Sequence, residues 1–187
     1  MLNEKARRAL LVSLIEKMKN SSSWCGETHV QKCIYFLQDF LGVPLGFNYI
    51  LYKHGPYSFD LNDELAFLRG NSFLKLHPRR PYGPSLSLGE RGQILKNKYE
   101  EVINQYNNEI DFVVEVLANK PVTELERVAT ALYVEEEKNQ DTDEGIVSEM
   151  VRLKPHINKK EAREALEYLK MIEKRALEIG LIQQVKL

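Results

Sequence analysis

Positively charged side chains cluster in one stretch of this sequence, where they could recognise an anionic partner. Between Arg69 and Lys98 the chain carries seven Lys and Arg residues and one carboxylate, Glu90. Such cations bind a phosphate backbone favourably because they release the counterions condensed on it. The residues predicted from this stretch to contact DNA or another partner are Arg69, Lys75, Arg79, Arg80 and Arg91.

Two short runs of alternating apolar and polar residues, 73–76 and 85–88, lie within this basic stretch. The connection between them is rich in Pro and Gly, so the pattern predicts a β-hairpin with Arg79 and Arg80 at its tip. Helical spacing of apolar residues predicts three helices before it, at about 3–19, 28–41 and 58–69. The order of three helices and a hairpin is that of a winged helix.

A short strand is predicted at 47–52, where aromatic and β-branched residues are concentrated. Gly55-Pro56 follows it, and this pair predicts a turn that leads the chain into the third helix. Four helix starts carry the signature of a capping box, in which a polar side chain is followed three residues later by Glu or Gln. The pairs are Thr28 with Gln31, Ser87 with Glu90, Thr123 with Glu126, and Asn158 with Glu161.

Apolar residues recur at steps of four and three over 95–117, which predicts one long helix after the hairpin. Its seam could close the core of a monomer or form a homodimer. Three more helices are predicted near 123–137, 142–153 and 158–179. The expected fold class is therefore α+β and predominantly helical, with a winged-helix-like lobe at 1–90, then the long helix and a C-terminal helical lobe at 91–187.

The histidines and cysteines do not form a motif for catalysis or metal binding. His29, His54, His77 and His156 are scattered without an HExxH pair, and the two cysteines are not a CxxC pair. Glycine-rich phosphate loops and a GxSxG elbow are also missing from the sequence. We therefore expect no catalytic residue, cofactor or metal; an enzyme would need an unexpected cluster, such as Cys25, His29 and His54 meeting in a cleft.

Unpaired cysteines and the lack of a long apolar run predict a cytoplasmic protein that does not insert into a membrane. The formal net charge of −1 hides an asymmetry. Residues 1–100 have 14 basic and 9 acidic side chains, a net charge of +5, whereas residues 101–187 have 12 and 18, a net charge of −6. The first half is thus the half suited to an anionic partner.

The third predicted helix complicates this interpretation, because it would be the helix that enters the major groove of DNA. It carries Asp60, Asp63 and Glu64 against a single cation, Arg69. Carboxylates on that face would repel phosphates, so the wing and the first helix are expected to contribute more to DNA binding. A protein partner would tolerate these charges better than DNA.

The segment from Gln31 to Phe73 resembles a group of prokaryotic winged-helix-like proteins with a "QKxxYxLQ" helix and a "YGPYS" strand end. The same pattern is similar to the Panacea domain of prokaryotic antitoxins, which implies a winged-helix-like fold and an antitoxin or adaptor role. His54 stands here where Tyr is usual, and Tyr57 where the Panacea family more often has Val. The matching residues to which a structural or binding role would transfer are Lys32, Tyr35, His54, Gly55, Pro56, Tyr57 and Ser58.

Two functions follow as hypotheses from these features. The first is a non-enzymatic transcription regulator that contacts DNA through a basic wing. The second is a protein-binding module of antitoxin or adaptor type. Lys32 and Tyr35 could serve either a ligand site or a structural role, by pinning the strand near Gly55-Pro56 to the second helix.

Overall fold

A computed structural model describes residues 2–78, 83–137 and 142–183 of the chain. These residues form a mostly helical α+β structure with two small hairpins. The helices are α1 (Glu4–Asn20), α2 (Glu27–Tyr35), α3 (Phe59–Gly70), α4 (Glu90–Lys98), α5 (Glu100–Gln105), α6 (Asn107–Leu117), α7 (Val122–Glu137), α8 (Asp143–Leu153) and α9 (Lys159–Glu178). The strands are β1 (Ile50–Tyr52), β2 (Gly55–Tyr57), β3 (Leu74–His77) and β4 (Ser85–Leu88).

Helix α1 lies at the centre of the N-terminal half. Asn3 caps it by accepting a hydrogen bond of 2.9 Å from the backbone N–H of Ala6. Every residue from Ala9 to Ile15 is buried, so the helix is enclosed on more sides than the single apolar face predicted from spacing. The elements packed around α1 are β4, α4, α5 and α6.

The second predicted helix begins at Glu27 and changes at Phe36 into a π-helical turn, Phe36–Phe40. The strand expected at 47–52 is shorter, and it pairs with a second strand that the sequence analysis missed. Ile50 faces Tyr57 and Tyr52 faces Gly55 in this β1–β2 hairpin. The predicted turn at Gly55-Pro56 is therefore wrong, because both residues belong to β2. Pro56 is tolerated there because a strand at a sheet edge can lack an N–H donor.

The prediction that 73–76 and 85–88 pair is confirmed. Strands β3 and β4 are antiparallel, with Leu74 opposite Leu88 and His77 opposite Ser85. Leu74 and Leu86 are buried and fasten the hairpin to the core. The predicted tip residues Arg79 and Arg80 lie outside the described residues.

The single long helix expected after the hairpin is wrong. The chain instead forms α4, α5 and α6, with non-helical backbone angles at Tyr99 (φ −118°, ψ 28°) and Tyr106 (φ −112°, ψ 19°). All three segments pack on α1, and the two breaks let the chain bend around it. Apolar residues that were predicted to form the seam contribute to this packing. Ile110 and Val113, for example, are buried within the chain.

The three C-terminal helices were predicted to within about a residue of their bounds, and α7, α8 and α9 pack on one another. Of the four predicted capping boxes, the one at Asn158 and Glu161 is confirmed, with both hydrogen bonds at 3.0 Å. The other three are wrong. Helices α2 and α4 begin after Gly26 and Gly89 without a side-chain cap, and Thr123 already lies inside α7.

The buried apolar residues form one cluster that extends from Ala9 to Ala176. Helix α7 joins the halves of the chain because it contacts both α2 and β2. Residues on both sides of the boundary expected at residue 90 therefore share one apolar core.

Candidate functional site

The structure places three of the five predicted partner-binding cations around the β3–β4 hairpin. Arg69 and Lys75 line one shallow cleft beside β3. Arg91, at the start of α4, has its guanidinium 4.7 Å from the centre of the Phe73 ring and donates a hydrogen bond of 3.3 Å to the Asn71 carbonyl oxygen. Both predicted tip cations, at positions 79 and 80, lie outside the described ranges.

Two further cations complete this region. Lys5 of α1 and Lys98 of α4 line a groove of about 330 Å³ together with Arg91 and Phe73. Phe73 lines the groove, and the next residue, Leu74, lines the cleft of Arg69 and Lys75. We call the whole the basic surface, and its cations are Lys5, Arg69, Lys75, Arg91 and Lys98.

The remaining cations near the basic surface are neutralised by carboxylates. Arg8 lies 2.5 Å from the Glu64 carboxylate, and Arg7 lies 3.1 Å from it. Lys96, which belongs to the basic stretch of the sequence, is paired with Glu16 and is mostly buried. With Glu4, which lies 3.4 Å from Arg8, three carboxylates balance these three cations, so they add little charge to the surface.

Contrary to what the sequence suggested, the three carboxylates of α3 do not all lie on its exposed face. Glu64 is buried and held between the two arginines of α1, so it does not oppose an anionic partner. Asp60 and Asp63 are exposed and belong to the first half of the helix. The second half of α3 carries Arg69, which belongs to the basic surface. Its described residues include no exposed carboxylate.

Lys75 forms an exposed ion pair of 3.2 Å with Glu90. Such a pair contributes about 0–1 kcal/mol and exchanges readily.

The residues of the family motif surround the β1–β2 hairpin. Lys32 projects from α2 and donates a hydrogen bond of 2.8 Å to the carbonyl oxygen of Pro56. Gln31 binds both backbone groups of Ser58, accepting from its N–H at 3.0 Å and donating to its carbonyl oxygen at 2.9 Å. Gly55 lies against the Lys32 side chain with φ of +82°, where a Cβ would be 3.3 Å from Cε. We call this set of contacts the hairpin anchor.

Glu126 of α7 is the buried carboxylate beside the hairpin anchor. Lys154, at the end of α8, has its Nζ atom 3.6 Å from this carboxylate and donates to the carbonyl oxygens of Tyr52 and Lys53, the latter at 2.8 Å. His156 lies 3.0 Å from the Glu126 carboxylate and His54 3.5 Å from it. The sequence analysis interpreted Glu126 only as a capping residue.

Burial lowers the pKa of the two lysines beside Glu126. Desolvation lowers the pKa of Lys32 to about 7, a shift that Glu126 opposes and Lys154 increases. The pKa of Lys154 is also lowered by desolvation, against the attraction of Glu126. These groups lie inside packed structure, and among the described residues no set of His, Cys, Asp and Glu could hold a metal ion.

Tyr35, the aromatic residue of the motif helix, contacts Tyr49 and α7. Its ring packs 4.9 Å from the ring of Tyr49, and its hydroxyl lies 3.5 Å from the Glu136 carboxylate. Lys32 therefore pins the hairpin to α2, whereas Tyr35 supports the segment before the hairpin.

Three aromatic rings form an exposed cluster next to the hairpin anchor. The ring centres of Tyr52, Tyr57 and Phe59 are 5.1–5.7 Å apart. Tyr52 and Phe59 are 52% and 53% exposed. We call this cluster the aromatic surface; the sequence analysis singled out only Tyr57, through the family motif.

Cys25, His29 and His54, named above as one example of a catalytic cluster, have different surroundings. Cys25 is buried, desolvation raises the pKa of its thiol to about 12, and its sulfur lies 3.7 Å from the Ile15 carbonyl oxygen. His29 donates to the Lys120 carbonyl oxygen at 3.0 Å. His54 lies on the β1–β2 hairpin beside Glu126.

Comparison with known proteins does not assign the chain to a family. No protein-family model matches the sequence, and no curated protein matches it significantly. The resemblance to winged-helix-like proteins and Panacea antitoxins thus stays a prediction. None of the described helices is long and apolar enough to span a bilayer.

Proposed function

We propose that this protein is a non-enzymatic regulator of winged-helix type that contacts DNA through the basic surface. The order of α1, α2, α3 and the β3–β4 hairpin supports this fold, with the β1–β2 hairpin inserted before α3. The observation that carries the proposal is that two depressions beside the wing hairpin are lined by cations, Arg69 and Lys75 in one and Lys5, Arg91 and Lys98 in the other.

The neutralisation of Glu64 takes away one of the three carboxylates of α3 that oppose DNA binding, and Asp60 and Asp63 remain exposed. Because Arg7 and Arg8 bind this carboxylate, α3 does not present it to a phosphate backbone. The contacts available are to phosphates rather than to base edges, because long cations surround the hairpin while the first half of α3 is acidic. The expected binding is therefore weakly sequence-specific and strongly dependent on salt.

The test is binding of a fluorescent random-sequence DNA duplex, measured by anisotropy. The variant Lys5→Ala/Arg69→Ala/Lys98→Ala removes three cations of the basic surface. The matched control, Lys159→Ala/Lys160→Ala/Lys174→Ala, removes three exposed cations of α9 and changes the net charge equally. We expect at least about tenfold weaker binding for the first variant and less than about threefold for the control. Equal losses in both variants would contradict the proposal.

The hairpin tip is tested separately with the variant Arg79→Ala/Arg80→Ala. A wing that lies along the DNA backbone would lose affinity through these two residues as well. An unchanged dissociation constant would restrict the proposed contact to the basic surface.

A second candidate function, a protein-binding module of antitoxin or adaptor type, is supported by the aromatic surface. Large exposed aromatic clusters occur where proteins bind other proteins, because burying such rings contributes much of the binding free energy. The aromatic surface adjoins the acidic first half of α3, whereas the basic surface adjoins its second half.

A further inference from the structure

The aromatic surface is held rigidly although its rings are exposed. Tyr57 lies between Pro56 and Ser58, and both of these residues are tied to α2 by the hairpin anchor. Phe59 follows directly as the first residue of α3, which Ser58 caps through a hydrogen bond of 3.2 Å from the Leu61 N–H. Because the backbone under the rings is fixed, a partner would meet a preorganised surface and little ordering entropy would be lost on binding.

Carboxylates surround the rings. Tyr57 donates a hydrogen bond of 3.3 Å from its hydroxyl to the Glu27 carboxylate. The pKa of this hydroxyl is raised by partial burial, then by Glu27, and also by Asp63, which lies one helical turn after Phe59 on α3. Asp60, exposed in the first turn of α3, accepts a hydrogen bond of 3.0 Å from Asn48. An apolar surface with such a rim favours a cationic partner over an anionic one.

Elsewhere the chain itself combines an aromatic ring, a carboxylate and an arginine, at a ring that is 41% exposed. The Arg8 guanidinium stands 4.0 Å from the centre of the Phe67 ring while it bonds to Glu64. A guanidinium suits this arrangement because its flat face stacks on the ring and its edge donates to the carboxylate. The aromatic surface offers the same two components, rings and carboxylates, to a guanidinium from outside.

We propose that the aromatic surface docks a peptide segment of a partner protein that carries arginine next to apolar side chains. The arginine stacks on the rings of Tyr57 or Phe59 and pairs with Glu27 or Asp63, while the apolar side chains cover Tyr52 and its exposed neighbour Ile50. This inference rests on the protein-binding function proposed above and names the chemistry of the partner. It is independent of DNA binding, which uses the other half of α3.

The experiment begins with a phage-displayed library of short random peptides panned on the full chain. A selected peptide is then synthesised, and its affinity is measured for the wild type and for variants. Phe59→Ser removes an aromatic ring, and Glu27→Gln/Asp63→Asn removes the carboxylates. Ile94→Ser is the matched control, because Ile94 is 69% exposed and lies in the groove of the basic surface. Thermal unfolding of each variant verifies that the fold is intact.

We expect enriched peptides to contain arginine beside aromatic or aliphatic residues. Phe59→Ser should weaken binding about tenfold or more, the double carboxylate variant about threefold to tenfold, and the control less than twofold. The proposal is overturned if panning enriches no sequence, if the enriched peptides are acidic or uncharged, or if the control weakens binding as much as Phe59→Ser. These outcomes do not depend on whether the protein binds DNA, so one proposal can be overturned while the other stands.

A second copy of the chain is the competing occupant of the aromatic surface. Sedimentation velocity at increasing protein concentration detects the dimer that such self-association would form. A dimer that Phe59→Ser dissociates, and that Ile94→Ser leaves intact, would assign the surface to self-association and overturn the docking proposal.

Discussion

The Nζ atom of Lys32 donates a hydrogen bond to the carbonyl oxygen of Pro56 across 2.8 Å, in a position where Lys32 is only 1% exposed. This contact joins α2 to the hairpin that carries the aromatic surface. A buried lysine is costly unless it is bonded and balanced by charge, and Glu126 supplies the charge here. Lys32, one of the residues that carry the resemblance, therefore holds the hairpin to α2 in this chain.

Replacement of this lysine by Lys32→Met should destabilise the protein. The variant keeps the length of the side chain but leaves the Pro56 carbonyl oxygen without its buried donor. We expect the free energy of unfolding to fall by about 1–3 kcal/mol. Urea denaturation measures the change, with Lys53→Met as an exposed control expected to change it by less than about 0.5 kcal/mol. Equal effects of the two variants would argue against the hairpin anchor.

The stability of the wild type should increase with pH between about 7 and 9. Burial lowers the pKa of Lys32 from the 10.5 of an exposed lysine to about 7, so in this window the unfolded chain binds more protons than the folded chain. Above pH 9 the Cys25 thiol acts in the opposite direction and lowers stability. Burial raises the pKa of this thiol to about 12, so the thiol loses its proton in the unfolded chain at a lower pH than in the folded chain. Relative to Lys32→Met, the wild type should gain about 1 kcal/mol or more from pH 7 to 9. If the free energy of unfolding changed equally with pH in the two proteins, this prediction would be refuted.

Gly55 should not tolerate a side chain. Its φ of +82° disfavours other residues, and a Cβ would meet the Glu126 carbonyl oxygen at 3.2 Å and the Lys32 Cε at 3.3 Å. Gly55→Ala should lower the melting temperature, with a loss of about 1–3 kcal/mol. Gly70, at the end of α3, has open space around it, so Gly70→Ala should be neutral or slightly stabilising. A Gly55→Ala variant as stable as Gly70→Ala would contradict the described backbone.

Both cysteines should resist alkylation in the native protein. They are free and buried, and desolvation raises the pKa of each thiol, for Cys25 to about 12. The reactive thiolate is therefore scarce at pH 8. Iodoacetamide followed by mass spectrometry should modify neither residue before denaturant is added and both afterwards. Rapid modification of native Cys25 would show that it is accessible, as a catalytic role requires.

The helices could largely be predicted from sequence because apolar spacing reports burial directly. The exceptions arise where side chains are used for tertiary contacts. Gln31 and Glu126 looked like capping partners, yet one binds the backbone of Ser58 and the other binds Lys154. The breaks at Tyr99 and Tyr106 follow from the bending of the chain around α1, which apolar spacing alone does not reveal.

The candidate site could be predicted only in part. Arg69, Lys75 and Arg91 were found because they are close in sequence to the hairpin, and the first helix was expected to contribute. The neutralisation of Glu64 depends on Arg7 and Arg8, more than 50 positions away, so sequence spacing does not report it. The aromatic surface was missed because it combines β1, β2 and α3, and β2 was interpreted as a turn.

The salt dependence of DNA binding tests the central claim most directly. The logarithm of the association constant is measured against the logarithm of salt concentration for the wild type and for Lys5→Ala/Arg69→Ala/Lys98→Ala. We predict a wild-type slope of about −3 to −5 and a slope shallower by about 2–3 in the variant, since each lost phosphate contact removes roughly one unit. A wild type that does not bind duplex DNA, or equal slopes in the two proteins, would contradict the assignment of the basic surface to DNA.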